Sequence, residues 1–249
     1  MPTALLPELT GRSILIWTLR TQVGEDVSAA FEQVLARDER QRAAQFRVAQ
    51  ARESFVVTRA VLRILLGRYL GAGAGAVRLQ YGAFAKPAIA PDSSLRFNVT
   101  HSGDNAAIAL TIGCEIGIDL DGLRPLPELE QIATRFFCPD DAAEILSQPP
   151  EQRERAFFTC WTRKEAYIKA TGAGLSMPLT SFRVVQKPDG PGDLAVRLAD
   201  GSLSESWTVH DLRLAPNSAA AIAYNDSPRP VSIVAIDDLQ HLLEISAGN

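Results

Sequence analysis

Ile116-Gly-Ile-Asp-Leu-Asp-Gly122 alternates with a period of two, so it reads as a half-buried strand that carries Ile116, Ile118 and Leu120 on one face and projects Asp119 and Asp121 from the other. Downstream, Trp161-Thr-Arg-Lys-Glu-Ala-Tyr-Ile-Lys169 lies in a helical stretch in which the lateral neighbours of Glu165 are Phe158, Trp161, Ile168 and Lys169. That is a mostly apolar face for a carboxylate. An ionised glutamate there carries a desolvation cost that a metal or a cationic partner offsets.

Working outward from the Ile116 strand, the chain reads as two series of mixed elements. Before it come a strand at Ser13 to Leu19, a helical region from Glu25 to Gly71, and strands at Val77 to Tyr81, Leu95 to Val99 and Ala106 to Ile112. Gly71-Ala-Gly-Ala-Gly75 stops the helical region, and Pro87, Pro91 and Asp92 punctuate a loop. After it come helical stretches at Glu128 to Phe136, Asp140 to Ser147 and Gln152 to Thr171. Four strands follow, at Phe182 to Gln186, Leu194 to Leu198, Ser206 to Leu212 and Ala219 to Tyr224. Runs of helices followed by runs of strands predict α+β packing. Element order places a lobe boundary near Gly113, giving residues 1–113 and 114–249, with the second lobe carrying the acids; no residue-level repeat supports the division, and the tail after Pro228 has no assigned structure.

Composition excludes several classes. The chain has 249 residues, 46% of them apolar, enough for a sizeable core. A net charge of −4 implies no general attraction to nucleic acid or to an anionic membrane. Cys114, Cys138 and Cys160 are odd in number and lack CxxC spacing, which argues against a disulfide framework and a structural zinc site. Met1 to Trp17 shows no secretory pattern, and Phe55 to Leu70, interrupted by Arg59, Arg63 and Arg68, is too short and charged to span a bilayer. A cytoplasmic protein is expected.

Alone, two aspartates at i and i+2 before a glycine also read as a turn capping backbone amides. With Glu165 they form an all-oxygen set that favours magnesium, or manganese, over zinc, and magnesium commonly binds substrate phosphates as well. A polyphosphorylated substrate is expected. Arg59 and Arg63, one helical turn apart, have a spacing suited to phosphate oxygens or to a solvated stripe. Lys86, Lys164 and Lys169 are further candidates against a background of surface lysines, and His101 at a strand end is better placed for a phosphate than His210 or His241. There is no GxSxG, no GxxxxGK[ST] and no dinucleotide fingerprint. Trp161 reads as a core anchor.

Phe97-Asn-Val-Thr-His-Ser-Gly103, then Ile116-Gly-Ile-Asp-Leu-Asp121, then Trp161 to Lys169 with Gly172-Ala-Gly-Leu175, resemble in order and spacing the Sfp-type 4′-phosphopantetheinyl transferases. Weaker similarity runs from Asp38 to Phe182, roughly the central two thirds of the chain. The resemblance implies a monomer of two similar α+β lobes, a pseudo-dimer, with coenzyme A in the cleft between them. Position by position, it makes Asp119, Asp121 and Glu165 metal ligands, Thr100 and His101 a phosphate-contacting pair, Lys86, Lys164 and Lys169 coenzyme-binding lysines, and Arg59 a nucleotide contact. Three positions depart from the family pattern: Asp121 where glutamate is more common, Thr100 where serine is usual, and Ala85 where a glycine commonly precedes the lysine.

The implied reaction is magnesium-dependent transfer of the 4′-phosphopantetheine arm of coenzyme A to a serine of an acyl, peptidyl or aryl carrier protein, releasing 3′,5′-ADP, in pathways such as secondary-metabolite biosynthesis. Glu165, directly or through a metal-bound water, is the candidate base, with Asp119 and Lys169 as catalytic partners. Carrier domains present an acidic helix beside their serine, so Leu123 to Phe137, with Arg124 and Arg135, is the expected docking stretch. Two alternatives stay open: another metal-dependent phosphoryl-group transferase, and a non-catalytic relative that holds coenzyme A or a carrier.

Overall fold

The computed structural model describes residues 6–82, 84, 86–187 and 194–247. The strand expected near the N-terminus forms as β1 (Ile14–Arg20), followed by α1 (Glu25–Val34), α2 (Arg37–Ala43) and the long α3 (Ala49–Tyr69). A small hairpin, β2 (Arg78–Tyr81) and β3 (Pro87–Ala90), precedes β4 (Leu95–Ser102) and β5 (Asn105–Ile112). β3 occupies the stretch read as a loop from its prolines. Pro87 is tolerated there because it sits at the first position of a two-stranded ribbon.

The Ile116 strand is β6 (Ile116–Gly122), and after it come α4 (Leu129–Phe136), α5 (Pro139–Leu146) and the long α6 (Pro150–Thr171). Strands β7 (Phe182–Gln186), β8 (Leu194–Leu198), β9 (Leu203–Leu212) and β10 (Ser218–Tyr224) complete the second series. Both series share one plan: a strand, three helices of which the third is long, then strands, the last of which pairs antiparallel with the first. In the first series β1 pairs with β5, and in the second β6 pairs with β10. The two lobes are thus alike in topology although no residue repeat announces it.

The expected boundary at the C-terminal end needs correction. β11 (Val231–Ile236) pairs parallel with β1, and α7 (Leu239–Ala247) places Leu242 in the core of the first lobe. The first sheet therefore runs β11-β1-β5-β4 and the second β6-β10-β9-β8-β7. The reason is edge coverage: without β11, the free edge of β1 would present unpaired backbone groups.

Packing is layered. On the outer side of the first sheet, Trp17 and Leu19 meet Val57, Val61 and Leu65 of α3. On its inner side, Ile14, Ile16, Ala107 and Ala109 meet Ile116, Ile118, Ile222 and Tyr224 of the second sheet. The opposite face of the second sheet packs on α6 through Ala221, Ala223, Ala166 and Ala170. Alternation along β6 therefore sends its isoleucines into the interlobe core and turns Gly117, Asp119 and Asp121 toward α6.

Candidate active site

Gly117 fixes how near β6 lies to α6. A Cβ there would stand 2.1 Å from the Ala166 carbonyl oxygen and 2.3 Å from the Ala170 nitrogen, so only glycine permits this approach. The contact brings the acids of the strand beside Glu165 and Lys169, which are one helical turn apart.

Asp119 is only 7% exposed, and its Oδ1 accepts from Lys169 Nζ at 2.6 Å and from Thr100 Oγ1 at 3.4 Å. Lys169 Nζ also donates to the Ile118 carbonyl at 3.2 Å. Burial raises the Asp119 carboxyl above its ordinary range in spite of the opposing Lys169 charge. Glu165 is likewise raised, first by burial and then by the negative charge of Asp119, with Lys169 pulling the other way. Among the described residues Glu165 accepts no hydrogen bond. Asp121 takes Ser102 Oγ at 3.2 Å and Arg124 Nη1 at 2.6 Å on its Oδ1.

The two lobes are stitched along the adjoining edges of β4 and β6. Ile118 N–H donates to Asn98 Oδ1 at 2.9 Å, Leu120 N–H to Thr100 Oγ1 at 3.1 Å and Gly122 N–H to Ser102 Oγ at 3.0 Å. Every second side chain of β4 thus satisfies every second amide of β6, in place of a backbone ladder. Thr100, expected at a phosphate, is 3% exposed and engaged in this seam and with Asp119. The next residue, His101, stays exposed, and its imidazole is pushed below the usual histidine range, first by desolvation, then by Lys169, with Asp119 opposing.

Lys86 Nζ donates to the Ala170 carbonyl at 2.9 Å, to Glu115 Oε2 at 3.0 Å and to the Ile116 carbonyl at 3.2 Å. Arg96 meets the other oxygen of Glu115 at 2.9 Å. The Gly172-Ala-Gly motif gains its reason here. Gly172 and Gly174 have φ of +70° and +54°; Lys86 Cδ stands 3.6 Å from a Cβ position on Gly172, and Phe84 Cβ 2.8 Å from one on Gly174. Ala85 lies outside the described residues.

A cleft of about 520 Å³ opens beside these groups, lined by Glu165 and Lys169 with Phe84, Phe136, Trp161 and Met177 among its apolar walls. A second hollow of about 450 Å³, bearing Tyr81, Arg96 and Glu115, shares Phe84, Lys86 and Gly172 with it. Trp161, read as a core anchor, does both jobs: it stacks on Phe157 with ring centroids 6.2 Å apart and lines the cleft.

Among the expected coenzyme contacts Lys86 and Lys169 line this cleft, Thr100 and His101 do not, and Lys164 and Arg59 serve elsewhere. Lys164 is 0% exposed; it pairs with Asp141 at 2.7 Å and donates to the carbonyls of Leu179 and Phe182. Its charge holds α6 to α5 and the start of β7. Arg59 lies against Glu39 at 3.8 Å and over the Phe55 ring, while Arg63 donates to the same Glu39 at 2.6 Å. Their one-turn spacing serves a buried carboxylate on α2. The residues that sequence reasoning missed are Gly117, whose signal is a glycine inside a strand, and the exposed aromatics Phe84 and Phe136, which carry no local signal.

Residues 115–224 match the family model described as the 4′-phosphopantetheinyl transferase superfamily. The chain is 35% identical over 222 residues to the 4′-phosphopantetheinyl transferase HetI of Nostoc sp., covering 87% of this chain and 90% of that one. It is 28% identical over 179 residues to the 4′-phosphopantetheinyl transferase Sfp of Bacillus subtilis, covering 72% and 78%. Among solved structures, a holo-(acyl-carrier-protein) synthase from Bacillus anthracis in complex with CoA (3′,5′-ADP) aligns with 46% of this chain and 96% of its own at 19% identity and a TM-score of 0.36.

Proposed function

The chain belongs to the 4′-phosphopantetheinyl transferase superfamily and is an enzyme that transfers phosphopantetheine from coenzyme A to carrier proteins; from that premise we propose that Asp119, Glu165 and Lys169 form its catalytic centre. The observation that carries this reading is the juxtaposition of a buried Asp119, paired with Lys169, with Glu165, a carboxylate lacking a protein donor among the described residues, at the cleft.

Glu165 suits a general base. It lines the cleft, and among the described residues no protein donor occupies its oxygens. The carrier serine oxygen attacks the phosphorus that bears the pantetheine arm, its proton passes toward Glu165, and the bond to the bridging oxygen of 3′,5′-ADP breaks. Lys169 supplies positive charge beside the reacting phosphate in a low-dielectric site, where such charge is worth more than in water. Lys86 lines the cleft as a coenzyme contact, and His101, its imidazole pushed below the usual histidine range, offers an N–H donor near the end of β4.

A divalent cation fits the acids present. The set is all oxygen; Asp119 is raised first by burial and also by the charge of Asp121, and Glu165 by burial and then by the charge of Asp119, a concentration of negative charge that a hard cation relieves. Asp119 and Glu165 would hold it. When bound, magnesium would neutralise charge on the diphosphate bridge.

Carrier docking is proposed at the end of α4, where Phe136 is 45% exposed on the cleft wall and the Arg135 guanidinium stands 5.4 Å from its ring centroid. An apolar knob beside a cation complements an acidic helix. Among the described residues no helix is long and apolar enough to cross a membrane.

The test is labelling of a serine-bearing carrier domain with a fluorescent coenzyme A conjugate. Label transfer that needs both magnesium and the carrier serine, and that Glu165→Gln abolishes, is expected. Full transfer by Glu165→Gln would overturn the assigned centre while leaving the family membership intact.

A further inference from the structure

Asp121 shares a face of β6 with Asp119, yet the two carboxylates are engaged differently. On Asp121 both oxygens are taken: Arg124 Nη1 donates to Oδ1 at 2.6 Å, Arg124 Nη2 to Oδ2 at 3.4 Å, and Ser102 Oγ to Oδ1 at 3.2 Å. On Asp119 the two donors, Lys169 and Thr100, share Oδ1, and among the described residues Oδ2 accepts nothing. Among the described residues Glu165 has no donor on either oxygen.

An exposed ion pair three residues apart contributes only about 0 to 1 kcal/mol, largely because two mobile side chains must be held still. Here the partners are already held. Arg124 Nη1 also donates to the Gly122 carbonyl at 3.0 Å, and its guanidinium stands 4.6 Å from the Phe158 ring centroid. Ser102 is fixed by the Gly122 N–H that it accepts at 3.0 Å, so the seam between the lobes orients the hydroxyl toward Asp121. Aspartate also lacks the extra methylene that would let a carboxylate reach past these partners. Consistent with this, among the described residues no three acidic, histidine or cysteine side chains stand close enough together to hold a metal ion.

We infer that the protein offers two inner metal ligands, Asp119 and Glu165, and that Arg124 and Ser102 hold Asp121 outside the inner shell. This rests on the reading of Asp119 and Glu165 given above. Magnesium is commonly bound through one or two carboxylates together with substrate phosphates, so a two-carboxylate site leaves room for the diphosphate of coenzyme A. Asp121 then stays paired with Arg124 beside the site.

The experiment is direct manganese binding to the full chain with saturating coenzyme A, read from the electron paramagnetic resonance signal of free Mn²⁺, with circular dichroism confirming that each variant is folded. Asp119→Asn and Glu165→Gln should each weaken binding by about tenfold or more, whereas Asp121→Asn should stay within about fivefold of the parent. Arg124→Gln, which frees Asp121, should bind Mn²⁺ as tightly as the parent or more so. Loss in Asp121→Asn as large as in Asp119→Asn overturns the inference and leaves the two-acid centre standing. If Asp119→Asn and Glu165→Gln both keep parental binding, the centre itself is wrong and the inference falls with it.

Discussion

Gly117 and Ala166 lie so close that a Cβ on the glycine would stand 2.1 Å from the alanine carbonyl oxygen. The obstruction is backbone, which cannot swing away as a side-chain tip does. Relief requires β6 and α6 to separate, and that separation pulls Asp119 from Lys169, now 2.6 Å apart. Gly117→Ala is therefore expected to cost about 1 to 3 kcal/mol of stability, the usual range for overpacking, and to lower kcat by more than the folded fraction explains. Gly73→Ala is the control, since a Cβ there meets nothing within 4 Å and the backbone φ of −68° suits alanine. Thermal denaturation and carrier labelling measure both effects; a Gly117→Ala enzyme with parental kcat would show that the spacing does not matter to the chemistry.

Lys164 and Lys169 distinguish structural from functional lysines on one helix. Five residues place them about 140° apart around an α-helix, so both cannot face one cleft, whereas Glu165 and Lys169, four apart, can. Lys164→Met leaves Asp141 without its buried partner, and breaking a buried pair from one side costs about 3 to 5 kcal/mol. Arg183, which also meets Asp141 at 2.7 Å, moderates that loss. The expected outcome is a markedly lower Tm with an unchanged KM for coenzyme A in the protein that remains folded. A raised KM at unaltered Tm would return Lys164 to the ligand.

Much of this was legible in the sequence because it is local. The alternation of β6 gave the face of Asp119, and helical spacing gave the pairing of Glu165 with Lys169. What was not legible depends on contacts between distant segments. The pairing of Val231 with Ile14 leaves no mark on either stretch, so β11 could not be assigned to the first lobe. The family resemblance made Thr100 a phosphate contact beside His101, but alternation along β4 sends Thr100 inward to the Leu120 amide. Arg59 and Arg63 had phosphate-like spacing, and only the fold shows Glu39 lying between α2 and α3 to receive them.

Glu165 makes a pH prediction whose sign is opposite to that of an ordinary paired carboxylate. Its folded pKa is raised above the ordinary glutamate value of 4.5, so over the window between the two values the folded chain binds more protons than the unfolded one. Stability of the metal-free protein contributed by this group is then present at low pH and lost as pH rises through the folded value. Glu165→Gln removes that loss. The parent-minus-variant difference in unfolding free energy, from urea titrations in chelator, should become less favourable to the parent from below pH 4.5 upward and then level off. Millimolar magnesium with coenzyme A should reduce the difference, because bound cation compensates the carboxylate. A difference that is flat with pH would show that Glu165 is not desolvated in the folded protein.

Phe136 and Arg135 separate the carrier from the coenzyme. Phe136 is half-exposed on the cleft wall, and the Arg135 guanidinium, 5.4 Å from its ring centroid, places a cation beside it without a carboxylate partner among the described ion pairs. If an acidic carrier helix docks here, Phe136→Ala removes an aromatic anchor and Arg135→Glu sets like charges against each other; hot-spot truncations of this kind cost about 2 kcal/mol or more. Each variant should raise KM for the carrier about tenfold or more while leaving KM for coenzyme A within about twofold. The Arg135→Glu effect should shrink with added salt, as a surface charge interaction must. Arg124→Glu offers a contrast: Arg124 is turned back onto Asp121, so its reversal should raise KM for the carrier less than Arg135→Glu does. Unaltered carrier kinetics in both Phe136→Ala and Arg135→Glu would move the docking surface away from the end of α4.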